Sequence, residues 1–232
     1  MTASTWTSGI HAVLFDLDGT LADTAPDLGG ALNRLRVERG LAPISLDITR
    51  PHTSSGARGM IGAGLGIGPD HPEYDQLRAR FLDLYAQNIC VDTLLFPGMT
   101  ELLAALEQRK LRWGIVTNKA TRFTQPLIAA LGLAARASCV VCGDTTPHSK
   151  PHPAPLLHAS REIGLPPSAC LYVGDDLRDV QAARAAGMPV VAVSFGYLGE
   201  SDPHTWQADS VIEDPLELLE YLPTDNGQQK GH

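Results

Sequence analysis

Five short apolar runs, each long enough for one strand and too short for a helix, recur at 12–15, 112–116, 138–141, 169–173 and 189–193. A run without polar alternation reads as a strand buried on both faces, which happens chiefly in parallel sheets covered by helices. Between the runs the apolar spacing becomes helical. Residues 101–109 carry Leu102, Leu103, Ala105 and Leu106, and 154–163 and 177–186 carry similar stripes. Parallel strands are joined by right-handed crossovers. The pattern predicts an α/β fold with a doubly wound, Rossmann-like parallel sheet.

The stretch 25–95 breaks this alternation. It holds helical patterns at 28–39 and 74–88 and no convincing strand, and glycines from Gly56 to Gly68 loosen its middle. It reads as a small helical domain inserted into a core made of 1–24 and 96–232. The Phe96-Pro97-Gly98 turn returns the chain to the sheet. A chain of 232 residues buries an ample core without disulfide or metal staples. Residues 223–232 are polar and expected to fray.

A net charge of −8 argues against a nucleic-acid or anionic-membrane surface, since either needs a basic patch. The first nine residues are small and polar, unlike a secretory leader, and no segment is long and apolar enough to span a bilayer. Cys139 and Cys142 form a CxxC, but they bracket an apolar run and read as buried strand residues rather than a redox pair. With Cys90 and Cys170 they suit a reducing, cytoplasmic setting.

The chemistry gathers where the apolar runs end. Asp16-Leu17-Asp18-Gly19-Thr20 follows the first run directly, so two carboxylates can face the sheet's carboxyl edge, where open α/β sheets bind ligands. Thr117-Asn118 follows the second run, and the third leads to Lys150 in Ser149-Lys150-Pro151. The fourth ends in Gly174-Asp175-Asp176, with Asp179 one helical turn beyond Asp175. Each set alone is ordinary turn chemistry. Four sets converging on one edge read as a site. No GxGxxG or GxxxxGK[ST] follows the first run, which excludes a dinucleotide or P-loop fold.

DLDGT at 16–20, TN at 117–118, Lys150 and GDDLRD at 174–179 resemble the four ordered motifs of the haloacid-dehalogenase superfamily. The resemblance covers nearly the whole chain, and the inserted helices look like that superfamily's cap of the first type. DGTLADTAPDL, SKPHPAP and AAGMPVVAVSFGY resemble the phosphoglycolate phosphatase group. Within it, RPHTSSGARGM and WGIVTNK look most like bacterial N-acetylmuramic acid 6-phosphate phosphatases. The resemblance implies a Mg²⁺-dependent phosphatase acting on a small phosphomonoester. Its metal ligands would be the Asp16 carboxylate, the Asp18 backbone carbonyl and the Asp175 carboxylate, with Asp179 behind them. Asp16 would be the nucleophile and Asp18 the general acid and base. Thr117 would bind phosphate oxygens, Lys150 would place a compact positive charge there, and Thr20 would fix the loop.

The other polar residues nearby are assigned less direct parts. Asn118 is expected to support the turn more than to touch phosphate, and Lys119 to lie on the surface. Asp23 is expected at the hinge, Asp176 as a helix N-terminal acid, and His148 and His152 as loop residues. The segment 195–197 follows the last run and can border the site. Arg58 is the candidate for clamping a substrate carboxylate. Phosphoglycolate phosphatases carry Gly-Asn-Gly-Ala-Asp in this region, whereas this chain has Ser-Ser-Gly-Ala-Arg, which shifts weight toward the amino-sugar phosphate.

Several rival activities are weighed against the same residues. Asp18 disfavours dehalogenation, and the lack of any lysine between Thr24 and Phe96 disfavours phosphonate hydrolysis. A sugar-phosphate mutase is the rival enzyme. A non-catalytic phosphometabolite-binding protein would be expected to have lost one of the motif residues. The expected assembly is a monomer or homodimer.

Overall fold

The computed structural model describes residues 9–224, so the first eight residues and most of the polar tail at 223–232 lie outside the described residues. Among the described residues there are eight strands and eight α-helices, with four short 3₁₀ turns; four α-helices follow one another over 25–87, and strands and α-helices alternate over 94–193. Six strands form one parallel sheet: β1 (Ala12–Phe15), β4 (Arg112–Val116), β5 (Val140–Val141), β6 (Cys170–Gly174), β7 (Val190–Val193) and β8 (Ser210–Ile212). Their order is β5-β4-β1-β6-β7-β8. The sequence therefore returns to opposite sides of β1, and the strand order reverses there, which is the point where such sheets place a ligand.

Alternate side chains of the central strands enter different cores. Val13, Phe15, Ile115 and Val173 pack on α5 (Met99–Gln108) and α6 (Thr121–Ala130). Leu14, Tyr172 and Val190 pack on α7 (Ala154–Ile163) and α8 (Leu177–Ala186). In register, Phe15 lies opposite Ile115 on one side and Val173 on the other. Both faces are therefore dry at β1, as the run of apolar residues requires.

Two elements differ from the sequence reading. Helix α6 carries Pro126 in its interior, where proline removes an N–H and weakens the helical pattern. Strand β8 is three residues long at the sheet's edge, too short and too polar in its setting to stand out.

Residues 25–87 supply a second layer: α1 (Ala25–Glu38), α2 (Leu46–Thr49), α3 (Gly56–Leu65) and α4 (Tyr74–Gln87). They enclose their own core of Leu28, Leu32, Met60, Ile61, Phe81 and Leu84, to which the sheet-bearing part adds Phe123. The glycine-rich middle is the helix α3 rather than a loosened stretch. Gly64 is there for close packing, since a Cβ would sit 2.5 Å from a Leu32 methyl. No helix among the described residues is long and apolar enough to cross a membrane.

The chain enters and leaves this helical unit side by side. β2 (Ala22–Asp23) and β3 (Leu94–Leu95) pair antiparallel in a two-residue ladder. Asp27, 4% exposed in the first turn of α1, ties the returning strand down. Its carboxylate accepts from the N–H groups of Val91 (3.0 Å), Asp92 (3.1 Å) and Thr93 (2.9 Å) and from the Thr93 hydroxyl (2.7 Å). Asp27→Ala should leave these donors without their acceptor and cost about 1–3 kcal/mol in urea unfolding. Amide exchange should accelerate first at 91–93. An unchanged unfolding midpoint would show that water replaces the carboxylate at no cost.

Candidate active site

The carboxyl ends of β1, β4 and β6, with the loop after β5, bring the polar residues to one place. Lys150 is the centre of it. Its side chain is 2% exposed, and Nζ lies 3.0 Å from Asp16 Oδ1 and 2.7 Å from Asp179 Oδ1. The Tyr172 hydroxyl (2.8 Å) and the Val116 carbonyl (3.0 Å) complete its surroundings. Burial alone would drive the ammonium toward neutrality. Asp16 and Asp179 outweigh burial and raise its pKa above the ordinary value. Asn118 holds the lysine's backbone from both sides, accepting from Lys150 N (2.9 Å) and donating to Lys150 O (2.9 Å). It therefore supports the loop of Lys150 rather than its own turn, and it also borders the cavity.

Asp175 lies beside this cation without touching it. It is 1% exposed and accepts from the Thr20 hydroxyl (3.0 Å), the Tyr197 N–H (2.8 Å) and the Ser54 hydroxyl (3.3 Å). Burial, and then the nearby Asp16 and Asp179, push its carboxyl well above the usual range. Burial likewise raises Asp179 to about 7, against the pull of Lys150. Asp16, Asp175 and Asp179 offer carboxylate oxygens within 4.8 Å of one another. Three carboxylates around one lysine leave negative charge uncompensated, and the donors are all hard oxygens. That set fits Mg²⁺. Glycine makes room for the Asp175 carboxylate itself: a Cβ at Gly19, whose φ is +85°, would fall 2.1 Å from Asp175 Oδ2, and one at Gly196 would fall 2.3 Å from Asp175 Cβ.

Asp18 occupies a different environment. Its Oδ1 accepts from the Thr24 hydroxyl (2.6 Å) and from Lys119 Nζ (2.8 Å). Lys119 corrects the sequence reading. Its side chain is 8% exposed rather than on the surface, and Nζ lies 4.8 Å from the Tyr85 ring centroid. Burial again opposes the charge, and Asp18 more than restores it, raising the lysine's pKa. A lone lysine after a turn gives no hint of this, because Tyr85 comes from α4 and meets it only once the helical unit packs over the sheet.

The remaining residues fall as follows. Thr117 is buried, and its hydroxyl accepts from Lys119 N at 3.1 Å. Asp176 caps α8 by accepting from Arg178 N, and Asp179 accepts from Asp176 N at 3.1 Å. Asp23, in β2 where the chain enters the helical unit, is paired with Arg50 (2.7 Å) and with the Tyr197 hydroxyl (2.7 Å). Tyr172 and Ser54 had no sequence signal beyond their positions in an apolar run and a turn, whereas Tyr197 lies in the 195–197 segment expected to border the site and donates its N–H to Asp175. His148 and His152 stack at 4.4 Å on the loop around Lys150, outside the acidic cluster. All four cysteines are free, and burial pushes the Cys139 thiol up to about 12, so the CxxC is not poised for redox chemistry.

A cavity of about 400 Å³ lies over this floor. Asp16, Asp18, Thr117 and Lys150 line its base, and Tyr74, Phe81 and Tyr85 of α4 line its roof. Arg58 of α3 borders it from the same side, exposed and without an ion pair among the described residues. Thr20 and Asp175 lie behind the base, bonded to each other rather than lining the cavity.

Residues 13–193 match the family of haloacid dehalogenase-like hydrolases, and the chain belongs to that family. It is 44% identical over 214 residues to an N-acetylmuramic acid 6-phosphate phosphatase of Pseudomonas aeruginosa, covering 92% of this chain and 95% of that one. It is 45% identical over 211 residues to a phosphoglycolate phosphatase of Xanthomonas campestris, covering 90% and 95%. A crystal structure described as a predicted phosphoglycolate phosphatase, from Haemophilus somnus, superposes with a TM-score of 0.82 at 29% identity, covering 92% and 98%. The protein is a phosphoric monoester hydrolase of this family.

Lys150→Met should remove the only cation among the described residues that touches both Asp16 and Asp179. Breaking a buried pair in this way costs about 3–5 kcal/mol. Urea unfolding without added divalent cation should show that loss, and wild-type stability in the variant would mean the carboxylates are already neutral.

Proposed function

We propose that this phosphatase works through an aspartyl phosphate on Asp16, with Mg²⁺ as cofactor and a small carboxylated phosphomonoester as substrate. The observation that carries the reading is the division between two carboxylates of one loop. Asp16 borders the cavity floor within the Lys150 and acidic cluster, whereas Asp18 is held apart from it by Thr24 and Lys119. One carboxylate is thus placed for attack and the other for proton transfer.

Mg²⁺ fits the Asp16 carboxylate, the Asp18 backbone carbonyl and the Asp175 carboxylate, with Asp179 in support, and when bound it supplies the positive charge that a phosphate dianion requires. Asp16 attacks phosphorus, and the bond to the leaving oxygen breaks as Asp18 gives that oxygen its proton. Asp18 then takes a proton from water as the water attacks the aspartyl phosphate, which frees phosphate and restores Asp16. Lys119 and Thr24 hold Oδ1 of Asp18, leaving Oδ2 for the proton. Lys150 offsets charge on Asp16 and the phosphate, and the Thr117 hydroxyl is a donor for a phosphate oxygen.

The helical unit at 25–95 acts as a cap that shields the intermediate from bulk water. Ser54 reaches Asp175, Arg178 reaches the Ser54 carbonyl (2.8 Å), and Arg50 reaches Asp23, so the cap rests directly on the site and the hinge. The relatives' two substrates, phosphoglycolate and N-acetylmuramic acid 6-phosphate, both carry a carboxylate that Arg58 can clamp. A cavity of about 400 Å³ with aromatic walls favours the larger amino-sugar phosphate.

Phosphate release from N-acetylmuramic acid 6-phosphate and from 2-phosphoglycolate, compared by kcat/KM, tests the substrate assignment. A strong preference for phosphoglycolate would overturn it. Asp16→Asn should abolish turnover in a folded protein, and full activity in that variant would sink the covalent mechanism. Chelation should stop phosphate release, and Mg²⁺ should restore it. Arg58→Ala should raise KM for the carboxylated substrate more than for p-nitrophenyl phosphate. Equal effects would remove Arg58 from recognition.

A further inference from the structure

The cavity's rim carries more positive charge than its floor can use. Arg58, Arg78 and Arg122 all line it, and none makes a hydrogen bond or ion pair with another described residue. The other arginine that lines the cavity is engaged: Arg178 holds Asp176 and donates to the Ser54 carbonyl. The carboxylates of the floor are engaged as well: Asp18 with Lys119, and Asp16 and Asp179 with Lys150. In a chain of net charge −8, three guanidinium groups that converge on one cavity without acidic partners leave a local cationic rim.

The rim is divided between the two parts of the molecule. Arg78 stands on α4, on the face that also presents Tyr74, Phe81 and Tyr85 to the cavity. Arg122 stands in the first turn of α6 on the sheet-bearing part, where its guanidinium stacks 4.4 Å from the Phe123 ring centroid and is thereby oriented. A second feature of the same wall is Tyr85, which is 1% exposed. Its buried hydroxyl accepts no well-formed hydrogen bond among the described residues, and the polar group beside it is Lys119, whose Nζ lies 4.8 Å from the ring centroid. That hydroxyl has bonding capacity left for an oxygen in the cavity.

We infer that Arg78 and Arg122 hold an anionic group of the leaving alcohol between the cap and the core, with Tyr85 bonding an oxygen of its body. This assignment rests on the phosphatase reading above and narrows it. The substrate class is a phosphomonoester with a second anion, remote from the scissile phosphate, on a partly apolar frame that fits Phe81 and Phe123. Because one arginine is on each side of the cleft, only a substrate with that anion draws the two parts together. Specificity then resides partly in closure rather than in Arg58 alone.

The test uses N-acetylmuramic acid 6-phosphate and N-acetylglucosamine 6-phosphate, which differ by the lactyl carboxylate, with glucose 1,6-bisphosphate and p-nitrophenyl phosphate alongside. The wild-type enzyme with Mg²⁺ should prefer the carboxylated sugar phosphate over the counterpart that lacks the second anion at least tenfold in kcat/KM. Arg78→Gln and Arg122→Gln should each shrink that ratio about tenfold, and Arg122→Lys should recover part of it. Both arginines are exposed, so thermal melts should stay near wild type. An equal loss on the bisphosphate assigns the rim to anions generally, and a loss confined to the muramic substrate assigns it to carboxylates; either supports the inference. A ratio that neither variant changes, or a wild-type enzyme that turns over p-nitrophenyl phosphate without preferring either anionic sugar, overturns it and leaves the phosphatase mechanism standing. No phosphate from any of the four would instead remove the mechanism on which it rests.

Discussion

A buried ammonium in contact with two carboxylates holds the centre of this molecule. Lys150 is almost wholly removed from water, and its charge survives because Asp16 and Asp179 lie within 3.0 Å. The relation runs both ways, since Asp179 in an apolar sheet edge would be prohibitively desolvated without the lysine. Each partner arrives on a different element: Asp16 at the end of β1, Asp179 in the first turn of α8, and Lys150 on the loop after β5. The strand order brings them together, and their mutual compensation fixes how those loops can lie. Tyr172, rising from the interior of β6, anchors the same point from below by donating to the Val116 carbonyl at 2.8 Å.

Charge at this centre is balanced only in part, and the imbalance has a direction. Asp175 is held by neutral donors from Thr20, Tyr197 and Ser54, none of which cancels its charge. The surplus therefore faces the point where Asp16, Asp175 and Asp179 converge, which suits a divalent cation and, through it, an anionic substrate. Asp18 is kept out of that balance by its own lysine. Two carboxylates separated by one residue thereby have distinct electrostatic surroundings, which is the condition for giving them distinct chemical parts.

The same bonds connect the site to the strand that enters the helical unit. Tyr197 donates its N–H to Asp175 and its hydroxyl to Asp23, and that hydroxyl accepts from Ala25 N at 2.9 Å. Asp23 in turn holds Arg50 from the helical unit. A displacement of the helices therefore meets resistance from a chain of contacts that ends on a carboxylate of the cluster. Under the cap reading, this linkage is how closure and the reactive geometry come to depend on each other.

Much of this was legible from residue order. The apolar runs specified strands buried on both faces, and the polar residues at their ends specified the edge on which Asp16, Thr117, Lys150 and Asp175 would meet, because strand direction in a parallel sheet is shared. Local chemistry also identified Asp176 as a cap, since it acts within its own turn, whereas the bonds from Asn118 to Lys150 join separate loops. The sequence could not supply contacts made between distant segments. Lys119 was expected in solvent, and the helical unit buried it under Tyr85. The gathering of Arg58, Arg78 and Arg122 around one cavity joins residues from three helices with no common periodicity. Periodicity and turn chemistry are local properties of the chain. Burial, the pairing of charges and the shape of a cleft exist only after segments far apart in sequence have packed.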